Sequence, residues 1–256
     1  MKIVDKIILS NDIEKNSAIK EGIPKEKLLV LGSPKIDAMV KELSNQNNIS
    51  STWETLKEKK TVYLLNTGCM YFSGDIYKSL EDLLSILSIP RYIESSAVIW
   101  RPHPLTRSSI AKYKNDFLDY FDELIRRISD KNNMEYSSVI YDDSRNYINA
   151  LLATDVLISK EGSLINSFLL TQKKVIYWDV SMPKNSLLPD NSFYFGLNKE
   201  QPLFELIKMF DKGLDPLAAN RDKLADKVFV NTKGNVGEKI HSKIKGLVLH
   251  LFEEEK

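Results

Sequence analysis

Seven short runs of successive apolar, largely β-branched residues punctuate the chain: KIILS, LLVLG, TVYLL, AVIW, SVIY, DVLIS and KVIYW. A strand with one wet face alternates apolar and polar residues, whereas a strand apolar at every position must be buried on both faces. Helix-period segments lie between these runs. Ile76, Leu80, Leu83, Leu84 and Leu87 form one stripe, and Phe117, Phe121, Leu124, Ile125 and Ile128 form another. Strand and helix therefore alternate. The expected architecture is α/β, a doubly wound, mostly parallel sheet covered by helices on both faces.

The runs are unevenly spread. Lys41 to Lys60, KELSNQNNISSTWETLKEKK, is polar, rich in Asn and Ser, and lacks a clear apolar face, which predicts a connection over 45–60. Residues 1–44 hold two strand-like runs and the helix signal DIEKNSAIKEG, too little for a domain, so they must pack against something else. Residues 61–233 make one doubly wound unit of about five strands. Residues 234–256 carry Ile240, Ile244, Leu247, Val248, Leu251 and Phe252 at helical spacing, an amphipathic terminal helix that either packs or touches a membrane surface.

In open parallel sheets ligands bind beyond the carboxyl ends of the strands, so the residues following each run matter most. They are NTGCMYFSG with Gly68, RPHPL with Arg101 and His103, DDSRN with Asp142, Asp143 and Ser144, KEGSLINS with Lys160, Glu161, Gly162, Ser163 and Asn166, and DVSMP. The prolines flanking His103 fix the local backbone and would present Arg101 and His103 on a stiff loop. The strand DVLIS runs through Gly162 straight into a helix. Free N–H groups there, with the Ser163 hydroxyl, suit a phosphate, and Glu161 suits the hydroxyls of a sugar. The simplest reading of Asp-Asp-Ser at 142–144 is a cap for the following helix.

The case for several other chemistries is weakened. Dinucleotide, P-loop, nucleophile-elbow and zinc-protease motifs are absent, as is an Asp-x-Asp pair, so no metal and no cofactor is expected. Thirty-six basic against 35 acidic residues leave a net charge of +1, with no field to recruit nucleic acid. Cys69 is the only cysteine, which fits a reducing, cytoplasmic compartment. No segment reaches transmembrane length, leaving at most peripheral contact with a membrane.

The order of KIILSNDIEKNSAIKEGIPKEKLLVLGSPKIDAM, RPHP and YDDSRNYINALLATDVLISKEGSLINSFLL resembles the carboxyl-terminal half of GT-B fold glycosyltransferases. It is most similar to the CDP-glycerol glycerophosphotransferases of teichoic-acid and capsule synthesis. The family's Gly-x-Pro-x-x-Asp is matched by Gly32, Pro34 and Asp37, its Arg-x-His by Arg101 and His103, and its Asp-Ser by Asp143 and Ser144. Its Ser/Thr-Asp-Val strand start is matched by Thr154, Asp155 and Val156, leading to Ser163. Where the family has Asp-Tyr-Ser-Ser, this chain has Lys160, Glu161, Gly162 and Ser163, a glutamate reminiscent of sugar-nucleotide enzymes. The resemblance implies Arg101 and His103 as catalytic residues. Together with the strand-end reading, it gives Gly68, Asp143, Ser144, Glu161, Gly162, Ser163 and Asn166 as expected donor-binding residues, and the resemblance implies CDP-glycerol or a nucleotide sugar as donor. Residues 1–44 would be a remnant of an acceptor domain supplied by a partner polypeptide or a second copy. A binding module without catalysis and a sugar-nucleotide epimerase are the alternative readings.

Overall fold

The computed structural model describes residues 5–44, 53, 56, 58–160, 162–184 and 186–254. In chain order the elements are β1 (Ile7–Leu9), α1 (Asp12–Lys20), β2 (Leu28–Val30), α2 (Pro34–Leu43), β3 (Thr61–Thr67), α3 (Ile76–Leu87) and α4 (Ile89–Tyr92). They continue with β4 (Ser96–Pro102), α5 (Thr106–Tyr113), α6 (Leu118–Ser129), β5 (Val139–Tyr141), α7 (Ile148–Ala153), β6 (Val156–Ser159), α8 (Ser163–Leu169) and β7 (Lys174–Tyr177). The last are β8 (Tyr194–Phe195), α9 (Leu203–Asp211), α10 (Ala218–Val228) and α11 (Val236–Glu254). Each of the seven apolar runs is a strand. β8 is an additional one, too short to carry a pattern.

Strands β3 to β8 form one sheet in the order β5-β4-β3-β6-β7-β8, and every pairing is parallel. The chain builds outward from β3 on one side, then returns to build outward from β6 on the other. The reversal lies between β3 and β6, and loops leaving those two strands diverge to open a crevice. The doubly wound expectation holds.

Strand residues divide by period two between the faces. Tyr63, Leu65, Val98, Trp100, Val156 and Ile158 meet Leu83, Ile86, Phe121, Leu124 and Leu206 from α3, α6 and α9. Val62, Leu64, Ala97, Ile99, Leu157 and Val175 meet Leu151, Phe168 and Leu224 from α7, α8 and α10. Each such fully buried side chain contributes about 1.5–3 kcal/mol, so both layers are needed to hold the sheet.

The amino-terminal segment joins the second layer. β1 and β2 pair in parallel as a separate two-stranded sheet, and α2 lays Met39, Ile36 and Leu43 against α7 and the core. Trp53 and Leu56, from the expected connection, are buried in that same layer; residues 45–52, 54, 55 and 57 lie outside the described residues.

The returning chain fastens this unit. Gly32 has φ +94°, and a Cβ there would lie 2.8 Å from the Val230 carbonyl oxygen, so only glycine allows the approach. Ser33 caps α2, Pro34 opens it, and the buried Asp37 carboxylate accepts the N–H groups of Gly234 (2.6 Å) and Val236 (2.9 Å) at the start of α11. Nearby, the Asn231 amide donates to the Leu31 carbonyl (3.2 Å) and the Asn11 amide to that of Val228 (3.1 Å). Beyond this anchor Ile244 and Val248 of α11 are exposed. No described helix is long and apolar enough to cross a membrane.

Candidate functional site

Arg101 sits at the penultimate position of β4, where the strand leaves the sheet. Its Nη1 donates to the Asp142 carboxylate and to Ser144 Oγ (3.2 Å), and its Nη2 donates to the Ser144 carbonyl (2.6 Å). Asp142 also accepts the Ser144 N–H (3.0 Å), and its own N–H donates to the Trp100 carbonyl (2.9 Å). The side chains of Arg101 and Asp142 are 11% and 4% exposed. The guanidinium therefore binds the loop after β5 to the end of β4. The carboxylate needs that partner, because an ionised group so buried is costly alone. Burial pushes the pKa of the neighbouring Tyr141 hydroxyl up, with the Asp143 carboxylate adding to the effect, so this phenol stays neutral.

The capping expected of the Asp-Asp-Ser segment is not found. Helix α7 begins at Ile148, whose N–H is taken by the Asn146 side chain (2.9 Å), while Asp142 turns inward to Arg101 and Asp143 is exposed. Three residues, Arg145 to Tyr147, separate Ser144 from the helix, too many for a cap to reach.

His103 follows Pro102 on the loop from β4 to α5 and is exposed. Its N–H donates to the Thr67 carbonyl (2.8 Å), tying the loop to the end of β3 beside Gly68. Its ring Nδ1 accepts the Leu105 N–H (3.1 Å), which fixes the ring against its own turn. Among the described residues no group is hydrogen-bonded to Nε2.

Between these loops and the glycine turn stands Asn66 of β3. Its amide donates to the Arg101 carbonyl (3.0 Å) and its Oδ1 accepts from Ser159 Oγ at the end of β6 (3.3 Å). One side chain thus spaces the ends of β4 and β6, which lie on either side of β3. With strands about 4.8 Å apart, those ends are separated by about 10 Å, a span that a pyrophosphate-linked ligand can cover.

Gly162 has φ +119° and ψ 167°, a conformation closed to residues with a Cβ, and it turns the chain from β6 into α8. Its role as a turn needs glycine itself. Ser163 and Asn166 of α8 are exposed at the mouth of a cleft of about 430 Å³. Glu161 lies outside the described residues. Lys160 forms an exposed ion pair with Asp179 (3.5 Å).

The opposite wall of that cleft comes from the amino-terminal unit: Ser10, Asn11 and Glu14 at the start of α1, and Ser33 and Lys35 at the start of α2. The starts of three helices meet there, and helix starts carry partial positive charge. Lys35 is the only basic side chain among the described lining residues and Glu14 the only acidic one, with Glu14 already accepting the Ser10 N–H (2.8 Å). Sequence reasoning did not single out Ser10, Asn11, Ser33 or Lys35. The signal available was positional: Ser10 and Asn11 come just after β1, and Ser33 and Lys35 come within five residues of the end of β2, as the selected residues follow the strands of the large unit.

The site residues thus fall into two groups along one edge of the sheet. Gly68, Arg101, His103, Asp143 and Ser144 border the ends of β3, β4 and β5, while Gly162 makes the turn after β6 and Ser163 and Asn166 line the cleft beyond it. Among the described residues no cluster of three or more His, Cys, Asp or Glu side chains could hold a metal ion.

The fold with its strand order and switch point is a Rossmann-like half of the GT-B type. By sequence the chain matches no protein-family model and no curated protein. By structure it is similar to the UDP-GlcNAc 2-epimerase of Methanocaldococcus jannaschii in complex with UDP-GlcNAc and UDP (TM-score 0.57, 19% identity), covering 94% of this chain and 61% of that one. It is also similar to the UDP-GlcNAc 2-epimerase of Neisseria meningitidis bound to UDP-GlcNAc (0.56, 15% identity, 94% and 61%). A third is the wall teichoic acid polymerase TagF in a CDPG soak (0.54, 17% identity, 95% and 57%). Nearly all of this chain therefore corresponds to about three fifths of each of these proteins.

Proposed function

We propose that this chain binds a nucleotide-activated donor and is the donor-binding half of a GT-B transferase, moving a glycerophosphate or a sugar onto a surface-polymer or lipid-linked acceptor. The observation that carries the reading is the cleft at the carboxyl edge. There the glycine turn into α8, with Ser163 and Asn166, faces the starts of α1 and α2 and the Lys35 ammonium. Such a cleft favours an anion against one carboxylate. The similarity to proteins crystallised with UDP-GlcNAc, UDP and CDPG supports a nucleotide-linked ligand.

The chemistry asked of these residues is charge stabilisation. With CDP-glycerol as donor, the acceptor hydroxyl forms a bond to the β-phosphorus, the bond from that phosphorus to the bridging oxygen breaks, and CMP leaves with the electron pair. With a nucleotide sugar, the bond at the anomeric carbon breaks and a nucleoside diphosphate leaves. In both cases negative charge grows on phosphate oxygens, and fixed donors aimed there lower the barrier. His103 and the start of α8 are assigned that task. Arg101 holds the loop carrying Asp143 and Ser144. The acceptor side of the site would come from a partner polypeptide or a second copy of the chain.

An epimerase-like activity is the second reading, favoured by two of the structural neighbours. It asks for an acid and a base on one sugar, and Asp142 is committed to Arg101. Calorimetric titration with CDP-glycerol, CDP, UDP-GlcNAc and UDP tests the proposal. Saturable binding of one pair, weakened by Ser163→Ala, is expected. Absence of binding to all four, by a chain shown to be folded, would sink it.

A further inference from the structure

The two groups of site residues lie on either side of β3, so a ligand that touches both must cross the end of that strand. Asn66 is the last residue of β3 to face α7 and α8. Leu64 and, on β6, Leu157 and Ser159 share its face, whereas the Thr67 hydroxyl accepts from Trp100 Nε1 (3.3 Å) on the other. Asparagine is depleted from strands, so an amide in an interior strand calls for a use. The neighbours settle which way it is turned. The Arg101 carbonyl can only accept, so the atom 3.0 Å from it is Nδ2, and Oδ1 then accepts from the Ser159 hydroxyl (3.3 Å). These contacts, to strands on opposite sides, hold the amide plane and use one of its two N–H groups. The second has no partner among the described residues, and Asn66 is half-buried at the edge where the loops part.

We infer that Asn66 is a further ligand-binding residue, whose second N–H donates to a phosphate oxygen where the ligand passes from the α8 cleft towards the loops after β4 and β5. This rests on the donor-site reading above. With Oδ1 turned to Ser159, the amide has a donor left to offer, and a donor alone suits an acceptor-only group such as a phosphate better than a hydroxyl, which also has a proton to place. A hydrogen bond to a charged acceptor is among the stronger ones. Asn66 would thereby join the two groups of site residues across the strand that separates them.

Side-chain amide 1H–15N spectra of the full chain read the contact directly, the two Nδ2 protons of Asn66 being assigned through their correlation to its own backbone. On addition of CDP or UDP, the proton not bonded to the Arg101 carbonyl is expected to move to low field while the other stays in place. Cytidine and uridine, which lack phosphate, should move neither. In calorimetric titration Asn66→Ser, which lacks the amide, should lose about tenfold or more in affinity for the diphosphate, the worth of one hydrogen bond to a charged group. Asn66→Asp, which sets a carboxylate against the phosphate, should lose more again, and its deficit beyond Asn66→Ser should shrink as salt rises. The spectra need no substitution, so they decide the matter even where a variant fails to fold. If wild-type protein binds CDP or UDP while both protons stay in place, Asn66 is only the spacer between β4 and β6, and the inference is overturned with the donor-site reading intact. A folded Asn66→Asp variant that binds as wild type does overturns it equally. If wild-type protein binds neither nucleotide, the donor-site reading and the inference fall together.

Discussion

Two short stretches that look equally like sites, GSPKID at 32–37 and RPHP at 101–104, do different things with their polar groups. In the first, Lys35 apart, the polar groups are committed within the chain: Ser33 caps α2, Asp37 holds two N–H groups of the returning segment, and Gly32 admits the Val230 carbonyl. In the second the expenditure is partial. Arg101 is committed to Asp142 and Ser144, while His103 uses its backbone and Nδ1 but is otherwise exposed. Conserving its own architecture is what the first stretch does. Of the residues singled out in the two motifs, only His103 keeps its side chain exposed beyond its own turn, while Lys35 in the first stretch faces the cleft.

Removing Arg101 is expected to have the largest effect. Its pair with Asp142 is buried, and Arg101→Ala leaves an uncompensated carboxylate. A loss of about 3–5 kcal/mol is expected in urea unfolding, and Arg101→Lys should recover only part because an ammonium lacks the planar fork that reaches both Asp142 and Ser144. Wild-type stability in Arg101→Ala would mean that this arginine is free for a ligand after all.

Asp37→Ala should come next. Two N–H groups at the start of α11 lose a charged acceptor, and about 2–3 kcal/mol follows. The loss should appear as early opening of residues 228–236 and the amino-terminal unit in hydrogen exchange, while the six-stranded sheet stays protected. Uniform deprotection of the whole chain would instead make the unit and the sheet one cooperative body.

Gly32→Ala asks the same question of the backbone. A methyl group 2.8 Å from a carbonyl oxygen, at positive φ, costs about 1–3 kcal/mol. Its measured effect, added to that of Asp37→Ala and compared with the double variant, gives the coupling of the two contacts; strict additivity would argue that they do not act on one segment.

What the sequence made legible follows from which forces act locally. Strands buried on both faces announce themselves as unbroken apolar runs, so Val62 to Leu65 and Val156 to Ile158 could be read directly, as could the stripes of α3 and α6. Two-residue β8 and the burial of Trp53 and Leu56 were not legible. Their structure is imposed by neighbours far along the chain, Ile176 and Tyr177 for β8 and the second core layer for the two linker residues. At the site, the loops at the strand ends were readable because topology places them together. Whether a polar side chain there faces outward was not, since Arg101 and Asp142 neutralise each other across 41 residues of sequence. The wall formed by Ser10, Asn11, Ser33 and Lys35 was hidden for the same reason: it depends on how the amino-terminal unit docks.

That wall gives the last and smallest expected effect on stability. Lys35 is exposed and lines the cleft opposite Ser163 and Asn166, so Lys35→Ala should leave the unfolding midpoint within about 0.5 kcal/mol of wild type, as surface substitutions usually do. Its effect should fall on binding. If a phosphate lies between the starts of α1, α2 and α8, loss of the ammonium weakens nucleoside diphosphate binding by about tenfold at low salt. The deficit should shrink as salt rises, because an exposed charge acts through a screened field. Ser163→Ala, which removes a hydroxyl and no charge, should weaken binding with little change in salt dependence. Equal salt dependence in the two variants would place the phosphate away from Lys35. A Lys35→Ala variant that binds as wild type does while unfolding early would put this residue with Asp37, among the groups that hold the chain to itself.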